Sequence, residues 1–200
     1  SESSCCTRTT VALGLMFNGT PPVEVELQTN NFTLRSLNLS DATERYVGWL
    51  NDPEVNRYLE VRHNKNTRDS VKGFISSHDN KSSFLFGVFD KKSGDHVGNY
   101  SARCDLMHLT ATLGVMLGDK SYWGRRTILE TRARILDFLF EDVGLIKVHG
   151  ACYSSNLPAI YNYKKQGFSC EGVLKSHRIS GNQRVDVLIF SMLKDAWKSE

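Results

Sequence analysis

Residues 155–168 read SNLPAIYNYKKQGF, a segment with a clear start and a clear end for a helix. Pro158 stands in the first turn, where a helix tolerates a missing amide, and Gly167 stands where a helix ends in a left-handed residue. The pattern therefore predicts a helix over 154–166. The apolar run 146–153 in front of it predicts a strand.

A second strand, turn and helix come earlier in the chain. Alternating residues predict a strand at 110–117, and apolar residues at helical spacing predict a long helix over 125–142. The start of such a helix leaves backbone N–H groups without partners and favours an anion such as a phosphate. Arg125 and Arg126 would add charge-assisted hydrogen bonds there. That both arginines are solvated surface charges is the alternative.

The remaining elements predict an α+β domain. Further strands are expected at 23–28, 32–37, 84–89, 97–104, 173–179 and 184–193. Ser40 is expected to cap a first helix, Asp52-Pro53 to begin a second and Thr67 to cap a third. Residues 1–22 are expected to form an irregular leader and residues 23–200 a single domain with one mixed sheet flanked by helices.

Composition excludes several classes of protein. With 200 residues, 40% hydrophobic and 24% charged, the chain is neither fibrous nor mostly disordered. The net charge of +3 is too small to favour nucleic-acid binding. The apolar stretch Val11–Phe17 is far shorter than the roughly 20 residues of a membrane span, so no membrane association is expected. The five cysteines show no metal-site spacing, which predicts no metal and a reducing, cytoplasmic location.

Together, the two strand–helix segments resemble the GNAT superfamily of acyl-CoA-dependent N-acyltransferases. The family pattern Asn-x-x-Ala-Ile-x-x-Tyr-x-Lys-x-Gly-Phe is met at Asn156, Ala159, Ile160, Tyr163, Lys165, Gly167 and Phe168. The run 49–55 and Glu171-Gly172 are similar to the branch with ribosomal-protein N-terminal and bacterial sugar-nucleotide N-acetyltransferases. The resemblance covers about residues 32–197 and implies a GNAT fold, a mixed central sheet of about seven strands flanked by helices.

The resemblance also implies where acetyl-CoA, the co-substrate, would bind. Strands 110–117 and 147–153 would diverge, and the pantetheine arm would enter the gap along Val115, Met116 and Leu117. The diphosphate would lie on the loop formed by Trp123, Gly124, Arg125, Arg126, Thr127 and Ile128. Tyr163 would protonate the leaving sulfur, unless it is only a packed aromatic. Asn156 would bond the pantetheine, cap its helix, or do both.

The sequence departs from the family pattern at two places. Arg126 and Ile128 stand where the family has glycines, which let the backbone approach the diphosphate. Either the loop adopts helical angles that side chains tolerate, with its amides still exposed, or CoA binding is weakened or lost. Thr112 stands where many members carry a glutamate base, and its hydroxyl is a catalytic candidate that would act through a water. The candidates for acceptor binding, each equally explicable as surface charge, are Glu60, Arg62 and His63.

The expected activity is transfer of an acetyl group from acetyl-CoA to a primary amine, by direct attack and without a covalent enzyme intermediate. A small amine such as an aminosugar nucleotide is the first expectation for the acceptor, and a protein N-terminus is the second. The competing hypothesis is a catalytically impaired GNAT-fold module that has lost CoA and binds another ligand or a partner subunit. A homodimer is left open.

Overall fold

The computed structural model describes residues 24–197, and the leader expected at 1–22 lies outside them. Eight strands form one sheet: β1 Glu26–Gln28, β2 Phe32–Ser36, β3 Ser83–Asp90, β4 His96–Asp105, β5 Thr110–Leu117, β6 Lys147–Tyr153, β7 Ser169–Ser180 and β8 Gln183–Leu193. Their order is β1-β2-β3-β4-β5-β6-β8-β7. The predicted α+β class and mixed sheet are confirmed, with eight strands instead of about seven. The pair β5–β6 is parallel, and the other neighbouring pairs are antiparallel.

Helices cover both faces of the sheet. They are α1 Glu44–Asn51, α2 Arg68–Ser76, α3 Thr127–Asp137 and α4 Leu157–Lys165, and a π-helical turn continues α3 through Phe138–Asp142. Leu85 packs with α1 and α2, whereas its neighbours Phe84 and Phe86 pack in the larger core with α3. Successive strand residues point to opposite faces, so one strand serves both cores.

Two local predictions are wrong. Thr43, not Ser40, caps α1, and its hydroxyl accepts from the amide of Tyr46 at 3.3 Å. Residues 52–59 form turns followed by a short 3₁₀ helix at Glu60–His63, not a second α-helix. Polar side chains bond to the backbone here, for instance Asn56 Nδ2 to the carbonyl of Leu50 at 2.8 Å, and such bonds compete with helix formation.

An ion pair explains why Ser40 is not the start of α1. Residues Leu39–Asp41 form a separate 3₁₀ turn that Asn38 caps. The Asp41 carboxylate accepts two hydrogen bonds from the Arg35 guanidinium, at 2.7 and 2.8 Å, and a third from the amide of Asn38 at 2.8 Å. Burial alone would raise the pKa of Asp41, but these three donors hold it below its ordinary value.

Replacing Asp41 by Asn should therefore lower the free energy of unfolding by about 2 kcal/mol at neutral pH, because the half-buried Arg35 loses its charged partner. A carboxylate with a depressed pKa stabilises the fold above its ordinary pKa of about 4, and this contribution is lost as the pH falls through the folded-state pKa. Urea denaturation should show the wild-type advantage shrinking below about pH 4. Asp69→Asn is the matched control, since the Asp69 side chain is 94% exposed and 3.9 Å from Lys72. Equal effects of both substitutions would contradict the role of the Arg35–Asp41 pair.

Candidate functional site

The two parallel strands diverge after a short paired stretch. Among the described residues, β5 and β6 pair at Thr110–Lys147, Ala111–Val148 and Thr112–His149. Beyond that point each strand stays paired on its outer side, β5 with β4 as far as Leu117 and β6 with β8 as far as Tyr153. The expected gap between these strands is therefore present, and Val115, Met116 and Leu117 lie along it, partly buried.

Tyr163 reaches the point where the strands separate. A Cβ atom on Gly150 would lie 2.3 Å from Tyr163 Oη and 2.9 Å from the carbonyl oxygen of Leu113. Only a glycine leaves room for the hydroxyl between the strands. Sequence reasoning missed Gly150, although an isolated glycine inside a strand pattern signals such a close approach.

Aromatic packing holds the Tyr163 ring in place. The ring stacks on Phe190, with centroids 4.7 Å apart and planes 9° apart, and meets Phe168 edge to face at 5.1 Å. The guanidinium carbon of Arg132 lies 4.7 Å from the ring centroid. Burial raises the pKa of Tyr163, while the charge of Arg132 opposes the rise and nearby Cys152 adds to it. The phenol is therefore protonated at neutral pH.

Arg132 is a functional candidate that sequence reasoning missed. Arg132 is 2% exposed, and the apolar Ile135 and Leu136 are buried near it on α3. It donates to the carbonyl of Asn162 at 2.6 Å and to the side-chain oxygen of Gln166. These bonds join α3 to α4, and Arg132 also lies over the ring of Phe168 at 5.0 Å. The sequence did contain a signal for Arg132: a charged residue stands four positions before Leu136 in a helix with apolar residues at helical spacing.

The loop before α3 accommodates its bulky residues without strain. Arg126 has φ −78° and ψ 11°, angles that any residue adopts, and the positive φ of 71° falls on Gly124. The backbone angles of Arg126 are therefore ones that side chains tolerate. The Arg126 side chain does not cap the first turn of α3. Trp123 Nε1 donates to the carbonyl of Leu117 at 2.9 Å, which ties the loop to the end of β5.

Positive charge collects beside this loop. A cavity of ≈310 Å³ is lined by four basic side chains and by two carboxylates, together with uncharged residues; the charged residues are Lys91, Lys92, Arg125, Arg126, Asp90 and Glu130. Arg125 also lies over the ring of Tyr122 at 5.2 Å. The other two predicted loop contacts belong to the first turn of α3: Thr127 is 3% exposed, and the carbonyl of Ile128 accepts from Tyr100 Oη at 3.2 Å.

Asn156 caps α4. Its side-chain oxygen accepts from the amide of Ala159 at 3.2 Å, which confirms one of the two roles considered for it. Pro158 lies in the first turn and Gly167, with φ 82°, follows the last one, as the sequence predicted. The cap fixes where α4 begins and thereby where Tyr163 falls on its inner face.

Thr112 and His149 lie on the other face of the sheet. They are the last paired residues before the strands separate, and Thr112 Oγ1 lies 3.2 Å from His149 Nε2. A Cβ atom on Gly150 would face Tyr163. Because successive strand residues alternate between faces, the side chain of His149 points to the opposite face of the sheet. Thr112 is exposed and His149 is half-buried. The sequence singled out Thr112 but not its histidine partner.

Two of the three acceptor candidates come together further along the same face. Tyr153 Oη donates to Glu60 at 2.6 Å and accepts from Arg62 at 3.1 Å, and Arg178 Nε lies 3.4 Å from Glu60. The hydrogen bond from Tyr153 is the main cause that holds the pKa of Glu60 below its ordinary value. His63 is exposed and makes none of these hydrogen bonds or ion pairs in the described range 24–197, although it also contributes to the lowered pKa of Glu60.

Comparisons with known proteins agree with this geometry. The family described as acetyltransferase (GNAT) domain matches residues 31–169. An uncharacterized N-acetyltransferase, p20, from Bacillus licheniformis is 25% identical over 172 residues, covering 84% of this chain and 96% of that protein.

Two solved structures share the fold. RimL, a ribosomal L7/L12 alpha-N-protein acetyltransferase solved with coenzyme A, has a TM-score of 0.77 at 14% identity, covering 86% of this chain and 99% of that one. Spermidine N-acetyltransferase from Vibrio cholerae, solved with CoA and spermine, has a TM-score of 0.72 at 20% identity, covering 83% of this chain and 97% of that one. At these identities the likeness concerns the fold alone.

Two further features are absent from the part of the chain that the structure describes. No helix there is long and apolar enough to span a membrane. No group of three or more His, Cys, Asp or Glu residues in 24–197 is arranged to hold a metal ion.

Replacing Gly150 by Ala should force Tyr163 away from the strands, because the new methyl group would lie 2.3 Å from the phenol oxygen. We expect the free energy of unfolding to fall by about 1–3 kcal/mol in chemical denaturation. Gly172→Ala is the control, since no heavy atom lies within 4 Å of a Cβ there. Tyr163→Phe removes the oxygen and should recover part of the loss when combined with Gly150→Ala. The same loss in both backgrounds would show that the hydroxyl does not occupy this place.

Proposed function

The chain belongs to the GNAT family of acetyltransferases and acetylates amines with acetyl-CoA, and we propose that its acceptor is a small primary amine approaching from the His149 face of the sheet. The observation that carries the proposal is the gap between β5 and β6, with the Tyr163 hydroxyl at its closed end. Acetyl-CoA on one face and an amine on the other would meet in that gap.

The residues along the gap fit acetyl-CoA, which supplies an activated thioester. Val115, Met116 and Leu117 have strand backbone beside an unpaired edge, a suitable partner for the amides of a pantetheine arm. The first turn of α3 has no side-chain cap from Arg126 and therefore suits a diphosphate. Arg125 and Arg126 add positive charge beside that turn. Asn156, already committed to its cap, is proposed to contact the pantetheine as well.

Tyr163 is proposed as the general acid that protonates the departing thiolate. A general acid must carry its proton at the working pH, and burial keeps the Tyr163 phenol protonated at neutral pH by raising its pKa. Its proton would be delivered at Oη, the atom beside Gly150 where the strands separate.

The amine is proposed to attack the thioester directly. Cys152 lies two residues beyond Gly150 on the same strand, and burial raises the pKa of its thiol to about 11, with nearby Cys170 contributing. A neutral buried thiol is a poor nucleophile. A covalent acetyl-enzyme on this residue is therefore disfavoured.

The cluster of Glu60, Arg62 and Tyr153 is proposed to receive the rest of the acceptor. Arg178 lies beside this cluster, so two arginines, Arg62 and Arg178, accompany the single carboxylate of Glu60. The excess of positive charge favours an acceptor with a phosphate group, such as an aminosugar nucleotide. His63 is proposed as an additional contact that only a bound acceptor would engage. The cytoplasmic location and the homodimer stay predictions.

RimL and the spermidine enzyme offer two other acceptor classes, a protein N-terminus and a polyamine. A panel containing an aminosugar nucleotide, spermidine and a peptide with a free N-terminus would separate the three. Release of CoA thiol with the aminosugar nucleotide alone is the expected result, and turnover of the peptide alone would favour the protein acceptor.

Replacing Tyr163 by Phe should lower kcat by about 100-fold, because the thiolate loses its proton donor. Calorimetric titration with acetyl-CoA should show nearly unchanged binding. Tyr161→Phe is the matched control, since Tyr161 lies on the same helix and is 62% exposed. Full activity in Tyr163→Phe would exclude the acid role. A folded wild-type protein that binds no acetyl-CoA would instead support the non-catalytic module.

A further inference from the structure

We propose that Thr112 and His149 form a proton relay that removes the proton of the attacking amine. The inference rests on the proposed function, since it assigns the base for that same reaction. Thr112 presents a hydroxyl at the end of the paired stretch of β5 and β6, and the structure brings a nitrogen of His149 to 3.2 Å from it.

The position of the pair suits this step. Thr112 and His149 are the last residues joined across β5 and β6, so they border the gap from its closed end. They lie on the face opposite to Tyr163, whose hydroxyl borders the same gap beside Gly150. An amine attacking from one face and a sulfur protonated from the other require a base and an acid on opposite sides.

Each proton that moves in this reaction has a donor and an acceptor. The amine nitrogen forms a bond to the thioester carbonyl carbon, and its excess proton passes to Thr112 Oγ1. The hydroxyl proton of Thr112 passes at the same time to His149 Nε2, which leaves Thr112 neutral and His149 protonated. The C–S bond then breaks, and the thiolate takes the proton of Tyr163. His149 then releases one proton to solvent, and Tyr163 takes one proton from solvent, which restores the starting state.

Other carboxylates are less suited to this role. Glu60 bonds to Tyr153, four residues beyond His149, and a strand advances about 13 Å over four residues. Glu171 is engaged by Lys147 at 2.8 Å through both carboxylate oxygens. His149 is the base that lies next to the closed end of the gap.

Several charged and polar groups surround His149. Glu171 from β7 and Lys147 from β6 form an ion pair near it, and the hydroxyl of Ser191 on β8 lies opposite it in the register. From β4, Arg103 is the register partner of Thr112. Because these charged groups lie close by, the pH dependence is assigned to the histidine by replacing it.

The test compares His149→Gln, Thr112→Val and the double variant in the ratio kcat/KM for the acceptor as a function of pH. The wild type should lose activity toward acidic pH as the relay becomes protonated. We expect His149→Gln to lower kcat/KM by about 100-fold and to remove that acidic limb. Thr112→Val should cause a similar loss, and the double variant should be no worse than His149→Gln.

His108→Gln is the control, because His108 is an exposed histidine in the β4–β5 turn that pairs with Asp105. Thermal unfolding and acetyl-CoA titration of each variant separate loss of the relay from loss of the fold or of binding. Nitrogen NMR of the free wild-type protein adds a readout independent of turnover. His149 should carry its proton on Nδ1, leaving Nε2 to accept from Thr112, and Thr112→Val should shift the Nε2 signal.

If the wild type is active and His149→Gln keeps the same loss of kcat/KM toward acidic pH, the relay is overturned while the proposed function stands. The relay is also overturned if the fold-losses in kcat/KM of the two single variants multiply in the double variant, because the two residues would then contribute independently. A proton on Nε2 in the NMR spectrum would exclude Thr112 as the donor. A wild type that acetylates no amine of the panel would overturn the proposed function, and the relay with it.

Discussion

Parallel pairing between β5 and β6 stops at Thr112 and His149, and the whole site depends on the gap that follows. Each strand keeps its outer partner, so the gap leaves the rest of the sheet intact. Tyr163 from α4 reaches this point because Gly150 lacks a side chain. The separation of β5 from β6 thus leaves backbone groups of β5 free to bind a ligand, and it makes room for the phenol of Tyr163 on one face of the sheet.

Arg132 links the two helices that frame this gap. A buried guanidinium is costly unless its donors are satisfied, and Asn162 and Gln166 accept from it while aromatic rings cover its faces. The same side chain therefore sets α3, whose first turn follows the loop, against α4, which carries the tyrosine.

Sequence reasoning failed where polar side chains competed with the backbone. Ser40 has the composition of a helix cap, but Asp41 is held by Arg35 and the chain restarts at Thr43. The predicted helix after Asp52 became turns for a similar reason. The partners are only three to six residues apart in the chain, but hydrophobic periodicity and capping preferences do not show which polar side chains will bond to each other or to the backbone.

Local patterns in the chain were enough to specify the α+β class, the boundaries of most strands, and the capped helix that carries Tyr163. These features follow from hydrophobic periodicity and from the preferences of Asn156, Pro158 and Gly167, which act over a few residues. The contacts of Gly150 with Tyr163, of Thr112 with His149 and of Arg132 with α4 were decided in three dimensions. Each joins residues 13 to 37 positions apart on different elements, and only the packing of the sheet with α3 and α4 brings them together.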